Sequence, residues 1–203
     1  MPILIAGSDK RSQIFEAAVS IFSQKGYHGA TVDDLASAAG VAKGTIYNYF
    51  KNKADIFTQL YTEVESRIWQ GLEAVKAEVA DPFERIRRCF GYWCEAFHAF
   101  GQECPLMLEM WSTACCHPGE HEEVRQCLAR TYERTFADMQ ESLQAATEAG
   151  CFPRDLDLTI ASRAMCALFD GLLLQALIEG NLDNLLAHGP TALDLLLKGF
   201  RSP

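Results

Sequence analysis

Apolar residues recur along this chain at helical spacing and almost nowhere with the alternation of a half-buried strand. Ile14, Ala18, Ile21 and Phe22 fall on one helical face, after a possible cap at Ser8 or Asp9 and before a stop at Gly26. Thr31 with Asp34 three residues on has the form of a capping box, opening a short helix through Leu35, Ala36 and Ala39 that Gly40 ends. Gly40-Val41-Ala42 then leads to Lys43–Phe50, where only Ile46 and Phe50 are strongly apolar, so a short and mostly exposed helix is expected. Asn52 caps a long helix striped by Ile56, Leu60, Val64, Ile68, Leu72, Val75 and Val79, which links two regions.

Beyond it, Asp81-Pro82 begins a helix with Phe83, Ile86, Phe90, Trp93, Cys94 and Phe97 on its face. Cys104-Pro105 starts a segment with Met107, Met110, Trp111 and Ala114. From Glu120 to Ala149 a charged helix buries Leu128, Tyr132, Phe136, Met139 and Leu143. Asp155 or Asp157 starts the next, whose stretch Leu158–Ile178 is apolar on most sides and needs cover on more than one. A last helix is expected after the Gly189-Pro190 break, with Leu193, Leu196, Leu197 and Phe200 on one face. The fold class is therefore all-α.

A chain of 203 residues, 49% apolar and 22% charged, can close a sizeable core, which excludes disordered and collagen-like classes. Its first residues carry no basic leader, and no run reaches the roughly 18 uncharged apolar residues of a membrane span. A cytoplasmic protein without a membrane partner is the expectation, its eight cysteines reduced rather than forming a disulfide scaffold. The net charge of −9 is unevenly distributed: residues 1–56 hold six basic and five acidic side chains, which leaves −10 for the remainder.

Two helices joined by a glycine-containing three-residue turn, the second short with exposed polar and aromatic tips, have the arithmetic of a helix-turn-helix. The residues themselves carry a resemblance. Gly26-Tyr27-His28-Gly29-Ala30-Thr31-Val32-Asp33-Asp34-Leu35-Ala36, followed by Ala39-Gly40-Val41-Ala42-Lys43-Gly44-Thr45-Ile46-Tyr47-Asn48-Tyr49-Phe50-Lys51-Asn52-Lys53, resembles the DNA-binding domain of the tetracycline-repressor (TetR) family from about residue 10 to 60. The remainder resembles the family's regulatory domains loosely, at Met107–Trp111 and Asp170-Gly171-Leu172.

The resemblance implies a homodimeric repressor that binds a palindromic operator in double-stranded DNA, with a helix-turn-helix domain at residues 1–54 and a helical effector-binding and dimerisation domain at 55–203. It assigns DNA contacts to Thr31, Lys43, Gly44, Thr45, Tyr47, Asn48, Tyr49 and Lys53, and the chemistry agrees. Thr31, at a helix start, can hold a phosphate as well as cap the helix. Lys43 can reach phosphate or a guanine edge, and Gly44 permits close approach. Thr45 and Tyr47 offer hydroxyls or apolar contact to a thymine methyl, while Tyr49 and Lys53 lie where the sugar-phosphate backbone passes. The base that Asn48 reads is open.

Trp93, Phe97, Met107, Met110, Trp111, Phe136 and Phe169 supply aromatic and thioether surface at helical spacing. Taken singly each reads as core packing; together they suit a pocket between helices, and the resemblance implies a small apolar or amphipathic effector for it. Leu172, on the helix that is apolar on most sides, and Leu193, Leu196, Leu197 and Phe200, a stripe with no further helix to cover it, are expected in the dimer interface. No resident cofactor or metal is expected. A metal- or redox-responsive regulator using Cys115, Cys116, His117 and His121, or another thiol such as Cys104, is the competing reading, although the Pro118-Gly119 break separates the two histidines. No nucleophile elbow, phosphate loop or zinc-protease motif supports an enzyme.

Overall fold

A computed structural model describes residues 9–101, 104–116 and 121–201, and among them every regular element is a helix. The chain divides into two compact units: the described residues of Met1–Arg67 with Gln102–Arg130, and those of Ile68–Gly101 with Thr131–Pro203. Of the three chain boundaries between the units, those after Arg67 and Arg130 fall inside long helices, so each unit takes one part of each, and the third follows Gly101.

In the first unit, α1 (Lys10–Gly29) is capped by the Asp9 carboxylate, which accepts from the Ser12 amide at 2.7 Å. Its regular course ends at Gly26, whose φ of 69° is open to glycine without strain. The capping box forms at the start of α2 (Val32–Ala38), and Gly40, with φ 63°, turns the chain toward α3 (Lys43–Tyr47). This helix is shorter than the expected Lys43–Phe50, but the Phe50 amide still donates to the Ile46 carbonyl at 3.0 Å, and both side chains are buried. Asn52 caps α4 (Lys53–Glu78) by accepting from the Asp55 amide at 2.7 Å.

Phe15 against Phe50, and Phe57 against Phe22 and Tyr27, form the aromatic centre of this unit, with ring centroids 4.8–5.3 Å apart. Leu106 and Met110 from α6 (Pro105–Cys116), and Val124 and Cys127 from the start of α7 (Glu122–Glu148), complete the same core. Each fully buried side chain of this size is worth about 1.5–3 kcal/mol, so α6 and α7 contribute substantially to holding the three N-terminal helices together.

The second unit comprises the rest of α4 and α7 with α5 (Pro82–Phe100), α8 (Leu158–Glu179) and α9 (Asp183–Arg201). Asp81 caps α5, with Pro82 at its first turn, and Asp157 caps α8. Phe169 is its aromatic hub, with centroids 5.0 Å from Phe97, 5.2 Å from Trp93 and 5.9 Å from Phe90. By length and composition α8 could cross a membrane, yet it sinks Ala161, Met165, Cys166, Phe169, Leu173 and Ala176 into this core.

Two expectations are corrected here. Gly189-Pro190 does not precede the last helix: α9 begins at Asp183 and runs through both residues. The physical reason is tertiary. A Cβ at Gly189 would lie 2.6 Å from the Cys94 sulfur, so the bare backbone lets α9 approach α5, and Arg87 holds Asp194 with a two-pronged pair at 2.7 and 2.9 Å. This packing outweighs the amide that Pro190 cannot offer. Nor is the α9 stripe uncovered, because α9 packs on α5 and α8, which buries Leu193 and Leu197 within the protomer. Leu172 and Leu196 are half-buried, and Phe200 lies against Phe152 at 6.2 Å. Among the described residues of this unit, the large apolar side chains left exposed are Ile160, Leu174 and Ile178 on α8 with Leu186 and Leu195 on α9.

Candidate DNA-reading surface and effector cavity

Helix α3 is anchored by Ile46, which is 1% exposed, while Lys43, Gly44, Tyr47, Asn48 and Tyr49 face outward and Thr45 is half-buried. A tyrosine ring left half in water gives up burial free energy, and this surface does so twice within three residues, with Tyr47 50% and Tyr49 45% exposed. Gly44 is equally uneconomical. A Cβ there would meet nothing within 4 Å, so no packing inside the protein offsets the ~1 kcal/mol that glycine costs a helix relative to alanine.

Around this helix the charges are organised. Thr31 accepts from the Asp34 amide at 3.1 Å and gives its hydroxyl to the Asp34 carboxylate at 2.8 Å; Lys25 approaches the same carboxylate at 2.6 Å. Lys25 first, then the Thr31 hydroxyl and amide, hold the Asp34 carboxyl down at about 2. Lys43 pairs with Asp33 at 2.9 Å, which raises its pKa, but both groups are well exposed and the pair is open to exchange. Lys53 is placed differently. Its ammonium donates to the carbonyls of Tyr27 at 2.6 Å, Ala30 at 2.8 Å and His28 at 3.4 Å, and lies over the Tyr27 ring. Desolvation lowers its pKa, and its donors serve the turn that leads into Thr31.

In the second unit a cavity of about 30 Å³ lies between Ile86, Cys89, Phe90 and Trp93 of α5, Thr135, Asp138, Met139 and Ser142 of α7, and Met165 and Phe169 of α8. Of the seven residues expected at an effector site, Trp93 and Phe169 line it, and Phe97 stacks behind Trp93 at 6.1 Å. Phe136 is turned toward Tyr132 and the Arg163 guanidinium. Met107 and Trp111, both half-buried, belong to the first unit, and Met110 is packed in that unit's core.

Cys89, Thr135, Asp138 and Ser142 were not read from the sequence as lining residues. The available signal was the polar run at 135, 138 and 142, which shares one face of α7 with Met139. Asp138 is bound by Lys76, which also pairs with Glu73 at 3.0 Å. Burial pulls the Lys76 pKa down, but hydrogen bonds to Asp138 and Glu73 outweigh it and leave the value raised.

Cys115 and Cys116 end α6 exposed, His117 lies outside the described residues, and His121 sits 5.2 Å from His28 ring to ring. Among the described residues no group of three or more His, Cys, Asp or Glu could hold a metal. Burial pushes the Cys94 and Cys166 thiols up to about 12, which keeps them protonated at neutral pH and poor as redox nucleophiles.

Residues 14–60 match the family of bacterial regulatory proteins of the tetR type, and residues 82–198 match the C-terminal domain of BetI-type transcriptional repressors. The chain is 28% identical to the HTH-type transcriptional regulator AcrR of Shigella flexneri over 166 residues, covering 81% of this chain and 77% of the relative. It is 23% identical to a probable acrEF/envCD operon repressor of Escherichia coli K12 over 197 residues, 94% of this chain and 86% of that one. Among solved structures, the fatty acid degradation regulator FadR from Bacillus halodurans superposes with a TM-score of 0.80 at 26% identity, covering 98% of this chain and all of that one. A helix-turn-helix with an outward-facing second helix, followed by a helical C-terminal domain, thus has its relatives among transcriptional regulators, and the chain belongs to the TetR family.

Proposed function

We propose that this protein is a cytoplasmic, non-enzymatic repressor that binds a palindromic operator as a homodimer and lets go when a small apolar or amphipathic molecule enters the cavity of its second unit. Residues 1–54 read DNA, and residues 55–203 bind effector and dimerise. The observation that carries the reading is α3 with the turn after it, which together keep two tyrosines and a lysine in water and a glycine that their packing does not need. Lys43, Gly44, Thr45, Tyr47, Asn48 and Tyr49 meet the major groove and its phosphates, with Thr31 at the start of α2 beside a phosphate. Lys53 serves the same surface by ordering the turn before Thr31.

The two chains associate through the outer apolar faces of α8 and α9, where Leu174, Ile178 and Leu195 are exposed, flanked by Leu172, Leu196 and Phe200. Such a dimer serves a palindrome when its recognition helices stand roughly 34–36 Å apart. Effector control requires a state that binds effector better and DNA worse. Helix α4 is suited to link the two, since Ile56, Phe57 and Leu60 lie in the first core while Leu72 and the cavity-side Lys76 belong to the second unit.

The test is binding of the purified protein to DNA from upstream of its own gene, followed by fluorescence anisotropy across a salt series. Specific, salt-dependent binding by a dimer is expected. Binding that does not distinguish this DNA from random sequence overturns the proposal.

A further inference from the structure

Resting on the reading of α3 and the start of α2 as the DNA-binding surface, we propose that His28 is a further phosphate contact and that operator binding takes up a proton on its imidazole. His28 is exposed at the end of α1, three residues before Thr31. Although exposed, its ring is held: it meets the Tyr27 ring edge-on at 5.3 Å and the His121 ring at 5.2 Å. Three lysines of this surface are already engaged. Lys25 binds Asp34, Lys43 binds Asp33, and Lys53 donates to the carbonyls of Tyr27, His28 and Ala30. A phosphate that approaches the start of α2 therefore finds its uncommitted positive charge in the imidazole, the side chain type that changes charge between pH 5 and 8.

The helices decide which ring of the pair carries the proton. Two imidazolium charges this close repel, so one proton serves both rings. His121 gives its carbonyl to the Arg125 amide at 3.0 Å and so heads α7, where the helix dipole disfavours a cation. The exposed ring of His28 is the one that phosphate can reach. Other charges face the pair from every element around it. Lys53 of α4 lies over the Tyr27 ring, Glu109 of α6 accepts from the Tyr27 amide, and the charge of Glu123 on α7 reaches the Tyr27 hydroxyl. Lys25 on α1 is matched by Asp34 on α2, and Glu122 by Arg125. Bound phosphate adds a negative charge to this set beside His28, and by linkage DNA binding and proton uptake then strengthen each other equally.

The test follows binding of the upstream DNA by anisotropy from about pH 5.5 to 8.5 at fixed ionic strength. Calorimetry in two buffers of different ionisation enthalpy counts the protons taken up. Wild-type protein is expected to bind more tightly as pH falls, by up to about tenfold per pH unit for each protomer. His28→Gln should match wild type at the alkaline end, gain little on acidification and take up fewer protons. His28→Arg, with a permanent charge, should bind tightly across the whole range. At the acid end the slope of log affinity against log salt should be steeper in wild type than in His28→Gln by about one unit per protomer. His121→Gln should keep the proton uptake. The proton count is read on unaltered protein, so it stands even where a variant fails to fold. Specific binding without proton uptake overturns the inference and leaves the DNA-binding reading in place. So does uptake that survives His28→Gln, and uptake that disappears in His121→Gln places the proton on the wrong ring and overturns it too. Absence of specific binding at every pH overturns both.

Discussion

The backbone amide of Tyr27 donates to the carboxylate of Glu109 at 3.0 Å, tying the end of α1 to α6 across 82 positions of chain. The same carboxylate lies over Gly26, where a Cβ would come within 3.0 Å of it. Replacing Glu109 by Ala leaves a part-buried amide without its acceptor, and a loss of about 1–3 kcal/mol in chemical denaturation is expected. Glu109→Gln retains an acceptor and should lose less. Equal stability of the Ala variant and wild type would remove this contact from the account of the first unit.

Lys53 offers a sharper distinction. Lys53→Met removes a charged donor from three carbonyls, so unfolding should become easier by about 1.5–3 kcal/mol. The slope of log affinity against log salt should stay where it was, because the ammonium is committed inside the protein. A slope shallower by about one unit would place Lys53 on a phosphate instead.

Lys43→Ala and Tyr47→Ala should each weaken operator binding by about 1–3 kcal/mol with unchanged melting, as expected for lost base contacts on an exposed face. Asp33→Asn should act oppositely, freeing Lys43 and removing a negative charge that faces the same DNA. Anisotropy titrations at two salt concentrations check both. Unchanged affinity in the Lys43 and Tyr47 variants would displace α3 as the reader.

The capping box carries its own pH signature. The Asp34 carboxyl is held at about 2, below the roughly 3.9 of an unfolded aspartate, so its contribution is complete above the unfolded value and is lost as pH falls toward 2. An NMR titration of the Asp34 carboxyl should give a midpoint near 2, and Lys25→Met should move it upward. A midpoint at the ordinary value in wild-type protein would mean that the box is open in solution.

Leu195 and Leu197 are two residues apart on α9 but 65% and 1% exposed. Leu197→Ala should cost about 2–5 kcal/mol of stability, whereas Leu195→Ala should stay within about 0.5. Leu195→Asp should instead shift sedimentation from dimer to monomer and weaken operator binding. A dimer untouched by that charge would move the interface elsewhere.

Local hydrogen bonding explains why so much of the fold was legible. Thr31, Asn52 and Asp81 cap the helices they were expected to cap, and Asp9 and Asp157 do so where the sequence offered each beside an alternative, because a side-chain oxygen two or three residues before a free amide is a short-range arrangement. What was not legible depends on distant residues. Pro190 lies inside α9 because Gly189 meets Cys94 from another helix. Met110 shares the helical spacing of a pocket residue and is core in the first unit, and Lys53 finds its partners 23 to 26 positions upstream. Asp138 reads as part of a solvated charged face until α5 and α8 are seen to close over it. For α3 the exposed tips were visible in the sequence, since a short helix with two strong apolar positions has little else to bury.

At about 30 Å³ the space between the side chains beside Trp93 has room for one or two water molecules. An effector larger than that which settles beside Trp93 needs its walls to part, and its apparent dissociation constant is then the intrinsic one divided by the fraction of molecules in the wider form. A resting population of 1% open would weaken every effector about a hundredfold, alike for all chemistries, and so set a concentration threshold independent of recognition. Trimming Phe169, the ring shared by Trp93, Phe97 and Phe90, would lower that threshold and trade sharpness of response for sensitivity.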